Sequence, residues 1–102
     1  MNRGDVWWYE PPDRKRRPVV VLTRGEAIPF LHRIHVAPAT TAVRDIPTEV
    51  GLDQADGLSR ACVVSIDNLF LADPAYLTER ITTLGPERMQ AICEALEFAL
   101  AC

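Results

Sequence analysis

Arg14-Lys-Arg-Arg-Pro-Val-Val-Val-Leu-Thr23 carries the two signals that decide the fold and point to the chemistry. Four consecutive cations run into Pro18, and an apolar, largely β-branched run follows. Val19–Thr23 reads as a strand covered on both faces, because a near-continuous apolar run lacks the alternation of a half-exposed strand. Pro18 has no N–H, suits the first position of such a strand, and holds Arg17 in extended backbone. A guanidinium on extended backbone at the mouth of a rigid strand is placed to grip a phosphate.

Outward from that junction, the chain keeps to strand patterning until its last segment. Val6–Tyr9 is short, aromatic and β-branched, with Trp7 and Trp8 on opposite faces, one ring in the core and one exposed. Glu10-Pro11-Pro12-Asp13 forms a loop. Leu31–Ala39 resumes strand character, with Ile34 and Val36 on one face and Arg33 and His35 on the other. Thr48–Leu52 and Ala61–Ile66 are further strands, separated by a polar turn at Asp53–Leu58 that contains Gly57. Asp73–Leu77 suits a single helical turn before a last short strand at Arg80–Thr82. From Pro86 onward, Met89, Ile92, Cys93, Leu96, Ala99 and Leu100 form one apolar stripe at helical spacing. Pro86 fits the first helical position, and Glu87 suits the positive end of the helix dipole. Strands followed by a helix predict a mainly β fold: an antiparallel sheet with a C-terminal helix packed on it.

A chain of 102 residues, 48% hydrophobic and 25% charged, predicts one globular domain over residues 1–102. Its longest apolar run is too short to span a bilayer. Met1 stands too close to the first strand for a signal peptide, so a cytoplasmic location is expected. Cys62, Cys93 and Cys102 are odd in number and widely spaced, which fits neither a zinc site nor a disulfide framework. The net charge of −3 hides an asymmetry. Residues 1–44 hold eight Lys/Arg against four Asp/Glu, and residues 45–102 hold three against ten. A polyanion would be drawn to the first half only.

Polar groups that could carry chemistry gather at strand ends. If the strands bearing Arg17 and Thr40-Thr41 pair antiparallel, the start of one lies beside the end of the other. Guanidinium and hydroxyls would then face one small space. An Arg can neutralise charge developing on a phosphorus under attack, and a hydroxyl can hold a non-bridging oxygen. In RNA the ribose 2′-hydroxyl supplies an internal nucleophile, so neither a metal nor a protein nucleophile is obligatory. The same residues also suit blander roles: an ion-paired Arg, a Thr-Thr turn, and an Asx turn at Asp67-Asn68. His32 and His35, the only histidines, fall within a strand and suit surface or structural positions. An exposed Trp8 ring could stack on a base or sit at a contact between subunits.

The ordered pieces Arg3-Gly-Asp-Val-Trp7, Arg16-Arg-Pro-Val-Val-Val-Leu-Thr23, Val36-Ala-Pro-Ala-Thr-Thr41, Pro47-Thr-Glu-Val50 and Ser59-Arg-Ala-Cys-Val-Val-Ser-Ile-Asp-Asn68, with the Leu84–Leu100 segment, cover nearly the whole chain. In this order and spacing the sequence resembles the MazF/PemK family of bacterial toxin endoribonucleases. The resemblance implies a compact antiparallel SH3-like, CcdB/PemK-type β-barrel with a C-terminal helix, assembled as a homodimer. It implies metal-independent, cofactor-free, sequence-selective cleavage of single-stranded RNA, leaving 2′,3′-cyclic phosphate and 5′-hydroxyl ends. By the same resemblance Arg17 and Thr40 are catalytic, Asp67 takes part as in some members, and a MazE-like antitoxin with an acidic tail is the partner. Arg17 is expected to stabilise the pentavalent phosphorus and to supply the leaving group's proton. Arg14, Lys15, Arg16, Thr41, Arg44, Asn68 and Trp8 are expected to hold the RNA.

Two departures from the family pattern matter. The Glu10–Arg16 loop is shorter than in many members and lacks their Gly-rich, Glu-containing gate. A subgroup carries a loop His and an Arg two residues before the Asp; here the loop has no His, and Ser65 stands in the second place, so that acid–base scheme does not transfer. Two other readings share the fold: a CcdB-like gyrase poison, separable by an RNA cleavage assay with EDTA present, and a non-catalytic antitoxin-binding module.

Overall fold

The computed structural model describes residues 1–101, so Cys102 lies outside the described residues. Seven strands and one helix make up the fold: β1 (Asp5–Tyr9), β2 (Arg17–Val21), β3 (Ile34–Thr40), β4 (Glu49–Leu52), β5 (Cys62–Ser65), β6 (Phe70–Ala72), β7 (Leu77–Thr83) and α1 (Pro86–Leu100). Short 3₁₀ turns at Ile28–Phe30, Gln54–Asp56, Ile66–Asn68 and Pro74–Tyr76 connect them. All pairings are antiparallel, in the order β4-β5-β3-β2-β1-β7, with β6 also joined to β3. The mainly β fold with a C-terminal helix is as expected. Barrel closure is not met: among the described residues no ladder joins β4 to β7, and the sheet stays open.

β3 is the hub. One edge pairs with β2 through Val19–Pro38, Val20–Ala37 and Val21–Val36. The other edge is divided, Ile34–Val36 pairing with β6 and Ala39–Thr40 with β5. The expected strand Leu31–Ala39 is observed as Ile34–Thr40, running straight through Pro38. The reason lies in backbone alternation. The His35 carbonyl accepts from Leu22 N on the β2 side, so residues 36 and 38 turn their backbone polar groups to the divided edge. Pro38 therefore withholds its missing N–H where the partner changes from β6 to β5, a place a proline can occupy.

The valines of β2 are fully buried, as their unbroken apolar run requires. Val20, with Val6 and Ala37, packs in the cluster that includes Ile92 and Ala95 of α1. Val19 and Val21 pack on the opposite side with Tyr9, Ile34, Val36 and Leu77. The helix begins at Pro86 as expected, but its stripe is narrower than the spacing implied. Cys93 and Leu100 are exposed, and Ala95 takes the buried place. Nor do the tryptophans divide cleanly: both are half-buried. β6 carried no clear strand signal, and β7 begins at Leu77, ahead of the expected Arg80–Thr82, because Thr78 and Glu79 are exposed polar residues on the outermost strand beside β1.

Candidate functional site

Continuing the β2–β3 register two residues past Val19–Pro38 sets Arg17 opposite Thr40. Both line a pocket of about 380 Å³, together with Arg14, Arg44, Asn68, Pro38, Ala42, Glu49, Ser65 and Phe70. Val19 and Pro38 bring the side chains there: residues two apart on a strand share a face. Among the described residues no carboxylate forms an ion pair with Arg17 or Arg44, whereas Arg14 has only a loose, exposed pair with Asp13 at 3.8 Å. The pocket thus presents uncommitted guanidinium groups to an anion. Thr40 Oγ1 accepts a hydrogen bond from Ala42 N at 3.1 Å, which leaves the hydroxyl proton for an outside acceptor.

Two polar lining residues, Ser65 and Glu49, were not among the expected site residues. Ser65 is buried at the end of β5, and Asn68 Nδ2 donates to its Oγ at 2.7 Å. Glu49 clamps the segment that carries Arg44. Its Oε1 accepts from Arg44 N at 2.9 Å and from Asp45 N at 2.8 Å, and Oε2 accepts from Arg44 N at 3.3 Å. Asp45 has φ of 60°, a left-handed conformation that Asp adopts more readily than most residues. The signal that could have found Glu49 was its place in Pro47-Thr-Glu-Val50, which reads first as plain strand.

Asp67 is not among the lining residues. The 3₁₀ turn at Ile66–Asn68 brings its carboxylate to Thr48, whose hydroxyl donates to Oδ2 at 2.6 Å, while the next residue, Asn68, reaches the pocket. Lys15 is exposed and lines no pocket described here. His32 is exposed, and exposed His35 also lies outside the Arg17 pocket.

Arg17 and Thr40 also border a second depression of about 280 Å³, with Trp8, Arg16, Pro18, Ala39, Thr41, Leu58, Ser59, Arg60 and Cys62. The Arg16 guanidinium lies 4.1 Å from the centre of the Trp8 ring, so the indole face is already covered. Burial, and then the Asp56 charge, push the Cys62 thiol above its ordinary range, which keeps it unreactive. The turn beneath is braced. Asp53 and Asp56 form a reciprocal capping box, Gly57 takes φ of 100°, and Gln54 Nε2 donates to Ser59 O at 3.1 Å. Burial pulls the Asp56 carboxyl upward, but hydrogen bonds from Arg88 and from the Asp53 backbone outweigh it and hold it below its usual range.

The molecule is an open antiparallel sheet with two arginine-lined hollows at the joint of its central strands, a surface that suits an anion. Residues 2–100 match the family model described as PemK-like, MazF-like toxin of type II toxin-antitoxin system. A Mycobacterium tuberculosis protein named "Probable endoribonuclease MazF5" is 46% identical over 101 residues, covering 98% of this chain and 93% of its own length. "Endoribonuclease MazF3" of Mycobacterium tuberculosis is 40% identical over 82 residues, 80% of each chain. Among solved structures, "Mycobacterium tuberculosis toxin MazF-mt6" superposes with a TM-score of 0.87 at 35% identity, over 95% of this chain and 96% of that one. The chain belongs to the PemK-like, MazF-like family of type II toxin–antitoxin toxins.

Proposed function

We propose that this toxin cuts single-stranded RNA at selected sequences and thereby arrests translation and growth. One observation carries the reading: Arg17 and Thr40 stand opposite each other on a single cationic pocket at the open end of the β2–β3 ladder. A scissile phosphate there has its non-bridging oxygens met by the guanidinium and by the free Thr40 proton. The 2′-oxygen attacks phosphorus, the O2′–P bond forms, and the P–O5′ bond breaks, leaving a 2′,3′-cyclic phosphate and a 5′-hydroxyl. Arg17 and Thr40 act on the charge that grows on phosphorus, the kind of interaction that lowers the barrier most. A guanidinium keeps its proton in water, so the proton donation expected of Arg17 is left out of this scheme and only its charge is used. The 2′-hydroxyl proton therefore leaves to solvent, and water returns one to the 5′-oxygen. Asp67, engaged by Thr48 outside the pocket, receives no step.

Arg14, Arg44 and Asn68 line the Arg17 pocket and hold the backbone beside the cut, while Arg16 and Thr41 line the second depression and hold the neighbouring nucleotide. The partner is a protein antitoxin whose acidic, extended segment occupies the same cationic surface, and the active form is a homodimer in the cytoplasm. Support for an antitoxin partner comes from the family description, a toxin of type II toxin-antitoxin system.

The test is cleavage of end-labelled RNA by the purified protein, with EDTA present. Arg17→Ala is expected to lower the rate by about a hundredfold or more. Thr40→Ala should lower it less, and Thr40→Ser should restore much of it, with circular dichroism unchanged in all three. Undiminished cutting by Arg17→Ala, or ends other than cyclic phosphate and 5′-hydroxyl, would overturn the mechanism.

A further inference from the structure

We infer that the second depression is a base-reading subsite, and that Arg60 selects a keto base, guanine or uracil, at a nucleotide flanking the cut. The inference rests on the RNA-cleaving reading above. The depression shares Arg17 and Thr40 with the phosphate pocket, so a chain whose phosphate sits between those groups has its neighbouring nucleoside at the mouth of the second hollow. Its walls suit a base better than another phosphate, because Leu58 and Cys62 are buried and apolar and Pro18 and Ala39 add further apolar lining.

The planar groups are already arranged. Trp8 and Arg16, whose guanidinium carbon lies 4.1 Å from the indole centre, both line this hollow, and arginine and aromatic groups are what unpaired bases stack on in single-stranded RNA. Arg60 approaches from the turn that precedes β5. That turn is fixed by the capping box, by the Gln54–Ser59 hydrogen bond and by the Arg88–Asp56 pair at 3.2 Å, so the residue starts from a rigid base. Arg60 itself is exposed, and among the described residues it forms no ion pair.

Chemistry then sets the choice of base. A guanidinium has donors only. Guanine presents O6 and N7, and uracil presents O4, where adenine and cytosine present an amino group that would meet a donor. Arg60 is thus a specificity-determining residue, distinct from the groups that act on phosphorus.

The experiment is to cut a randomised RNA pool with the purified chain and to sequence the 5′-hydroxyl ends, for wild type, Arg60→Ala and Arg60→Lys. Wild type is expected to enrich guanine or uracil at one flanking position. Arg60→Ala should flatten that preference by about tenfold while cutting continues. Arg60→Lys, a point charge without the forked donors, should keep total cutting yet also lose the preference. Four results would overturn the assignment: no keto preference at either flank, an unchanged preference in Arg60→Ala, a loss of cutting uniform across sequences, or full preference in Arg60→Lys. A wild-type protein that cuts nothing would instead bring down the nuclease reading itself.

Discussion

Asp5 shows how much one buried residue can hold together. It is 3% exposed. Its Oδ2 accepts from Asn2 N at 2.9 Å and from Trp7 Nε1 at 3.4 Å, and its Oδ1 accepts from the Thr83 hydroxyl at 2.8 Å. Burial alone would raise its pKa, but these hydrogen bonds, led by that of Asn2, outweigh it and hold the carboxyl below the ordinary value of 3.8. A depressed carboxylate stabilises the fold above that ordinary value, and the contribution is lost as pH falls through the lower folded value. Asp5→Asn turns an amide donor toward existing donors, and is expected to cost about 1–3 kcal/mol at pH 7. The gap in melting temperature between variant and wild type should narrow below pH 3.8, which thermal melts at pH 7 and pH 3 will check. A gap independent of pH would rule out the charge as the source.

Among elements, the β3–β4 connection depends on Glu49. By bonding the backbone of Arg44 and Asp45 it supports a left-handed residue and fixes where the Arg44 guanidinium starts. Glu49→Ala should raise KM for RNA severalfold with a smaller change in kcat, and Glu49→Gln, which keeps one accepting oxygen, should recover most of the loss. Equal falls in kcat from both variants would place Glu49 in the chemistry instead. The same scale marks what the sequence could tell. The junction of Arg17 with an apolar run made β2 legible, and the Thr40-Thr41 pair marked the strand end opposite it. Glu49 and Ser65 were not legible, since their roles arise from backbone contacts and ladder register that residue type does not encode. Asp67 and Asn68 illustrate the same limit: one residue of a 3₁₀ turn separates the carboxylate tied to Thr48 from the amide that lines the pocket.

For the whole molecule, charge is distributed as ligand binding requires. The basic first half supplies Arg14, Arg16, Arg17 and Arg44 to the two depressions, while among acidic residues of the second half Asp53 and Asp56 pair with Arg88 and Glu49 is held by the backbone of Arg44 and Asp45. RNA affinity should therefore fall with salt along a log–log line. Replacing Arg14 or Arg44 by Ala should reduce its slope by about 0.7 each, the value for one phosphate contact on a single strand. Fluorescence anisotropy with a non-cleavable RNA at several salt concentrations measures this, and an unchanged slope in both variants would remove them from the backbone track.

The division of β3 between partners on either side of it in the chain has a consequence in time. Arg17 and Thr40 leave the ribosome early, but the strand beside Thr40 is residues 62–65, and the far wall needs Ser65, Asn68 and Phe70. Such distant pairings form late and slowly. A nascent chain halted before β5 carries Arg17 and Thr40 without Ser65, Asn68 and Phe70 beside them, so the pocket is complete only once most of the chain has been made.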